Sequence, residues 1–312
     1  MNNVDYLIIA DTKDFTSDYV AIELNRRNKN YLRINRDKFS EYAIEWNIID
    51  CKLKITINNE EYYMDDSLKG VYYRAPVYIR YYSNSDYEEQ LYKSQWMAFV
   101  KNLICFEDAV WINNPVETYK AENKMLQLRY AKKLGFLVPK TYVINSKSGY
   151  IDESTNYAIK SIDTLFLRSG SEECFLYTNV INGKEINKSS LNLSPIVVQQ
   201  LIDTKIDLRI TVIDNKAYTV KIVKEMYGID GDWRKEKNDV KFIPTEIPKD
   251  IEQKCISLVK VLGLKYGAID MALSEGKYYF IEINPTGEWA WLVESSGLDI
   301  YKDIVDVITS KE

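Results

Sequence analysis

Histidine is missing from all 312 residues of this chain. That absence excludes Ser-His-Asp and Cys-His nucleophile systems and every histidine-ligated metal site. Proton transfer is left to carboxylates, lysine, tyrosine or the substrate. Chemistry that depends on positioning and charge neutralisation fits best, and phosphoryl transfer is of that kind. Cysteine is scarce and scattered: Cys51, Cys105, Cys174 and Cys255 show no paired spacing for zinc or a disulfide framework. No apolar run approaches a membrane span. The N-terminus enters a strand-like segment, Val4–Ala10, without the basic leader and apolar core of a signal peptide. A reduced, cytoplasmic setting with no membrane partner is therefore expected. A net charge of -5 offers no basic footprint, so no nucleic-acid partner is expected either.

What is present is an ordinary globular composition, 46% hydrophobic and 28% charged, on a chain long enough for two or three modest domains. Val4–Ala10, Tyr31–Asn35 and Gly70–Pro76, which ends at its proline, read as strands, Phe15–Asn28 and Asp86–Glu107 as helices, and Lys52–Asn58 as a sheet-edge strand. One helix is expected from Glu117 to Leu134, stopped by Gly135 and Pro139. Short strands follow at Thr141–Asn145 and Tyr157–Ser161. A third block opens at Pro195 with Ile196–Ile202 and closes with an α+β unit. The expected division is 1–116, an N-terminal α/β domain; 117–195, a central unit; and 196–312, a C-terminal unit.

The segment Ala268–Pro285 carries the sharpest signal. It reads as two apolar strands around a Glu-Gly-Lys turn, with Asp270, Glu282 and Asn284 where greasy residues belong. Glu282 and Asn284 share a strand face. A turn of odd length, Glu275 to Lys277, sets Asp270 opposite Glu282. Two carboxylates and an amide oxygen, with no basic residue between them, are costly unless a cation neutralises them, and hard oxygen ligands suit Mg²⁺ carrying a nucleotide phosphate. The plainer alternative is a half-exposed strand pair with surface acids.

Taken in order, Asn123-Lys124-Met-Leu-Gln127, Ala158-Ile-Lys160, Val198–Ile202, Asp207-Leu-Arg209, Asp232-Trp-Arg234, Asp270 and Glu282-Ile-Asn284-Pro285 resemble the ATP-grasp superfamily. Val71-Tyr-Tyr-Arg74-Ala-Pro76 and Ile283–Trp291 further resemble the graspetide (microviridin-type) synthetases. The resemblance implies an ATP-grasp fold of α/β (α+β) class, with a pre-ATP-grasp N-terminal domain and a metal site in the C-terminal unit. It implies ATP and Mg²⁺ as cofactors, a ribosomal precursor peptide (leader plus core) as partner, and a homodimer.

The implied activity is phosphorylation of an Asp or Glu side chain, then ring closure to a Ser/Thr ester or Lys amide. Lys124 and Lys160 are then nucleotide lysines; the alternative for each is a solvent-exposed lysine. Gln199, Leu201 and Ile202 form the hinge against adenine, with backbone contacts from Leu201 and Ile202. Asp207 either reaches the ribose or orients Arg209. Arg209 serves the γ-phosphate and acyl phosphate, and Arg234 the incoming carboxylate, or the two roles are exchanged. The segment Leu165–Thr178 stands where the family has its phosphate loop. With only Gly170 there, Arg168 and Ser169 are the candidate contacts. Arg74 is expected to point into the cleft as a substrate anion contact. The rival readings are a glutamate-ligase-like enzyme acting on a free carboxylate and an ATP-binding interaction protein without catalysis.

Overall fold

The computed structural model describes residues 2–74, 86–163, 166–169, 172–175, 178–189, 194–225, 227–229 and 240–311, with backbone alone at 166–169 and 172–175. Arg234 therefore lies outside the described residues, as do the side chains of Arg168 and Ser169.

The N-terminal part runs β1 (Asn2–Asn3), β2 (Tyr6–Ala10), α1 (Phe15–Arg26), β3 (Tyr31–Asn35), β4 (Tyr42–Asn47), β5 (Lys52–Ile57), β6 (Glu60–Met64), β7 (Gly70–Tyr73), α2 (Tyr87–Asn102) and β8 (Val110–Ile112). Its main sheet is parallel, in the order β3-β2-β7-β8. Every residue of β2 is buried because alternate side chains feed two cores. Leu7 and Ile9 pack with Val100 and Leu103 on one side, while Tyr6 and Ile8 meet Val20 and Ile304 on the other. A second sheet has the order β1-β6-β5-β4. The strand expected at an edge, β5, is thus interior. Its alternation records one solvated face, since Leu53 and Ile55 are buried toward the core.

The next elements are α3 (Pro115–Ala121), α4 (Lys124–Lys133), β9 (Thr141–Ile144), β10 (Asn156–Lys160), β11 (Phe166–Ser169), β12 (Glu172–Phe175), β13 (Asn179–Asn182), α5 (Gly183–Lys188) and β14 (Ile196–Gln200). The single helix expected over 117–134 is two. Asn123 breaks it by turning its amide back onto the carbonyls of Tyr119 (2.8 Å) and Lys120 (3.3 Å), which ends α3 and leaves Asn123 as the N-cap of α4. One sheet draws on strands from both sides of position 195. β14 pairs with both β9 and β10 in the sheet β13-β10-β14-β9, so the central layer continues through Gln200.

The last part holds β15 (Ile206–Ile213), β16 (Lys216–Val223), β17 (Lys241–Pro244), α6 (Lys249–Val261), β18 (Tyr266–Ser274), β19 (Lys277–Asn284), α7 (Ala290–Ser296) and α8 (Ile300–Ile308). Five strands form an antiparallel sheet, β17-β16-β15-β18-β19, with α6 and α4 packed on it around Leu208, Ile256, Met271 and Phe280. The helix α8 crosses to the other end of the chain, where Ile300, Ile304 and Ile308 cover the N-terminal sheet. Gly70 permits that approach, because a Cβ there would lie 2.3 Å from the Ile308 carbonyl oxygen. Among the described residues no helix is long and apolar enough to cross a membrane.

Candidate active site

The hairpin of β18 and β19 sets the chemistry. Its turn has two residues, Glu275 and Gly276, both at positive φ (49° and 73°), with Ser274 paired to Lys277. A two-residue turn alone places Asp270 and Glu282 out of step. A bulge between Asp270 and Met271 corrects this: Met271 faces Phe280, Ile281 is the extra residue, and Asp270 then faces Glu282. The expected pairing holds, but a bulge produces it in place of an odd turn. Asn284 lies two residues beyond Glu282 on the same face, opposite Ala268.

Two basic residues flank these acids. Arg209, paired with Asp270 across β15 and β18, brings Nη1 to 3.3 Å from Asp270 Oδ1. Lys124, the first residue of α4, brings Nζ to 3.9 Å from Glu282 Oε2 and donates to the Ser161 carbonyl at 3.1 Å. The Arg209 guanidinium is 7% exposed, yet its Nε and Nη1 have no hydrogen-bond partner. Buried donors left unsatisfied cost stability. Their aim beside two facing carboxylates fits an anion that arrives with a divalent cation, so the donor set suits a metal-bound phosphate.

The cleft lies between the central and C-terminal sheets and holds about 940 Å³ of space, part of it open to solvent. Its apolar walls include Ala158, Val180, Leu201, Ile202, Met271 and Ile281. Its charged lining includes Lys124, Lys160, Lys205, Asp207, Asp270 and Glu282. Lys160 ends β10 and donates to Gln199 Oε1 at 2.8 Å, while Gln199 Nε2 donates to Thr141 Oγ1 at 2.9 Å. The Gln199 side chain thus aims Lys160, and the cleft-lining Leu201 and Ile202 follow it in the chain. Asp207 forms an ion pair with Lys205, a partner that was not expected, and Arg209 pairs with Asp270 instead. Glu122, which caps α3 just before Lys124, is driven up to about 7 by burial and then by the Asp163 carboxylate.

Arg74 is a correction. Its side chain is buried, with Nε 3.3 Å from Asp14 Oδ2, Nη2 2.5 Å from Glu288 Oε1, and Nη1 donating to the carbonyls of Thr286 and Gly287. Every nitrogen is committed to protein, so the guanidinium is not offered to a substrate anion. Two further residues, Gln127 and Asn113, brace β19 and the turn that follows it. Gln127 Nε2 donates to the Ile283 carbonyl at 2.8 Å and its Oε1 accepts from the Ile283 amide at 3.1 Å, which closes the open edge of β19. Asn113 Nδ2 donates to the carbonyls of Tyr266 and Pro285, both at 2.9 Å. Its Oδ1 accepts from the amides of Lys265 and Tyr266.

A family model described as a RimK-like ATP-grasp domain matches residues 122–308. No curated protein matches the chain. Among solved structures, a Chryseobacterium gregarium RiPP-associated ATP-grasp ligase, in complex with ADP and a leader and core peptide, is 27% identical; the match covers 100% of this chain and 98% of that one, with a TM-score of 0.85. The macrocyclase MdnC of Microcystis aeruginosa MRC, bound with precursor peptide MdnA, is 23% identical over 98% of this chain and 100% of its own, with a TM-score of 0.82. The ATP-grasp ligase PsnB, complexed with minimal precursor, Mg and ADP, is 17% identical over 100% of this chain and 99% of its own, with a TM-score of 0.75. The latter two are likenesses of fold.

Proposed function

This chain belongs to the RimK-like ATP-grasp family and is an ATP-grasp ligase, and from that premise we propose that it closes side-chain rings in a ribosomal precursor peptide. An Asp or Glu carboxylate oxygen of the peptide attacks the γ-phosphorus of ATP, and ADP leaves. A Ser/Thr hydroxyl or Lys amine of the same peptide then attacks the acyl carbon and loses a proton, and phosphate departs. The product is an ω-ester or ω-amide. Activation makes this step downhill, and the protein contributes orientation and electrostatic stabilisation.

One observation carries the reading: a buried guanidinium, Arg209, with Nη1 3.3 Å from Asp270 Oδ1 and Nε without a hydrogen-bond partner, next to the facing pair Asp270 and Glu282. Arg209 holds the transferred phosphoryl group, Lys124 and Lys160 hold the rest of the phosphate chain, and Leu201 and Ile202 take the adenine. Asp207 is the candidate for the ribose. Asp270, Glu282 and Asn284 would hold Mg²⁺, which neutralises charge on the phosphate oxygens when bound. Arg234 remains the candidate for the peptide carboxylate, with Arg168 and Ser169 over the phosphates. The peptide as substrate is supported by the likeness to the Chryseobacterium ligase across the whole chain, N-terminal part included. A homodimer, the division into three units and a cytoplasmic setting belong to the same proposal. Light scattering that reads one protomer's mass would remove the dimer.

The test is mass spectrometry on the short peptide encoded beside this chain's gene, incubated with enzyme, ATP and Mg²⁺. Each ring closed lowers the peptide mass by one water. Glu282→Gln abolishes the loss while the circular dichroism spectrum stays that of the wild type. A gain in mass by one amino-acid residue overturns the reading in favour of an amino-acid ligase, and an unchanged peptide overturns ring closure.

A further inference from the structure

The chain leaves β19 directly after the last expected metal ligand, Asn284, and turns back on itself through Pro285–Glu288. The turn is tight. A Cβ on Gly287 would lie 2.5 Å from the Ala268 Cβ and 3.3 Å from that of Asn284. Whatever fixes this turn also fixes the end of the metal strand. Tyr266 of β18 donates its hydroxyl to the Gly287 carbonyl at 2.7 Å. Trp291 Nε1 donates to the Glu288 carbonyl at 3.2 Å and the Gly287 amide to the Asn284 carbonyl at 3.3 Å, while the bonds that reach the turn from the N-terminal domain come mostly from one side chain.

That side chain is Arg74, at the end of β7 and 212 residues from Thr286 in the chain. Its guanidinium bonds the carbonyls of Thr286 and Gly287 and the carboxylate of Glu288. It is held in turn by Asp14, the N-cap of α1, whose carboxylate also accepts from the Thr16 amide (3.1 Å) and the Ser17 hydroxyl (2.8 Å). Thr16 then closes the circuit by donating its hydroxyl to Glu288. Burial pushes the Asp14 carboxyl up, but Arg74 and the Ser17 bonds outweigh it and hold it below its ordinary value. A planar fork is needed here, because a lysine ammonium cannot reach two carbonyls and two carboxylates set around one plane.

We propose that Arg74 is a positioning residue that fixes the Pro285–Glu288 turn from the N-terminal domain and so sets the aim of Glu282 and Asn284 toward the metal. Residues that orient ligands from behind cost roughly 10–100-fold in metal affinity or activity when replaced. The inference rests on the metal role given above to Asp270, Glu282 and Asn284.

The test is Arg74→Lys, with Glu288→Gln as a second variant that weakens the same turn and leaves Arg74 in place. Mn²⁺ binding to the enzyme–ADP complex is read by electron paramagnetic resonance, without peptide. Affinity for the metal falls about tenfold in Arg74→Lys, and less in Glu288→Gln. In peptide turnover, kcat falls and the Mg²⁺ concentration for half-maximal rate rises, while KM for the peptide stays near the wild-type value. Unchanged metal affinity in both variants overturns the proposal, as does a rise confined to the peptide KM, which would make Arg74 a substrate contact. If Arg74→Lys does not fold, Glu288→Gln decides on the same readouts. Because the metal measurement needs no peptide, a wild-type enzyme that closes no ring leaves it standing, and a ring-closing enzyme with unaltered metal affinity in the variants refutes this inference alone.

Discussion

The strand β19 has a back and a front, and they are built on opposite terms. Behind it, buried polar groups are fully used. Asn113 makes four hydrogen bonds, its whole capacity, and Gln127 satisfies both backbone groups of Ile283. In front, beside the cleft residue Asp270, Arg209 is equally buried, with Nη1 ion-paired to Asp270 and Nε without a hydrogen-bond partner. Desolvation offsets much of what its ion pair with Asp270 contributes to stability. The contrast separates scaffold from site: where polar groups are buried and satisfied they fix the strand, and where they are buried and unsatisfied they await a ligand.

The comparison breaks most readily at Arg209. Arg209→Met should lower the ring-closing rate by about 10²–10³, the usual cost of removing one donor from a developing charge. Its melting temperature in Mg²⁺ should stay close to the wild-type value, because the metal then neutralises Asp270 in place of Nη1 and Nε has no hydrogen bond to lose. Gln127→Met should do the reverse. It keeps volume but strands the Ile283 amide and carbonyl, at about 1–3 kcal/mol for each buried group, and thermal melts should show that loss while kcat changes less than in Arg209→Met. If Arg209→Met melts as early as Gln127→Met, the division between scaffold and site is wrong.

Much of the front was legible in the sequence, and little of the back. Asp270, Glu282, Lys160 and Arg209 stand out because charge interrupts apolar strands, and the structure brings the first three to one cleft with Arg209 beside Asp270. Their pairing survived a wrong turn length because the Ile281 bulge restores the parity that the two-residue turn removes, and a bulge leaves no mark in an apolar run. Asn113 and Gln127 were invisible for another reason. An amide is buried only when its backbone partners are in place, and those partners lie 153 and 156 residues away. Arg74 was found by its pattern and misassigned. Its position after three buried strand residues marks it as important, but only the turn at Pro285–Glu288 reveals what it holds.

The smallest expected effect lies where front and back meet. Glu122 ends the scaffold helix α3 and stands two residues before Lys124, a lysine of the cleft. Burial, and after it the Asp163 carboxylate, raise its carboxyl from the ordinary 4.5 to about 7. It also faces the buried Tyr73 phenol of β7, itself near Arg36 and pushed up chiefly by burial. The folded chain therefore holds this proton more tightly than the unfolded chain. The contribution to stability is fully present below pH 4.5 and is lost as pH rises to about 7, with no further change above. Glu122→Gln mimics the protonated form at every pH. Its melting temperature should match the wild type near pH 4.5 and exceed it by a small, constant margin above pH 7.5, small because the carboxyl is half-buried and solvent screens it. A difference between the two proteins that is the same at both ends of this range would remove Glu122 as the titrating group.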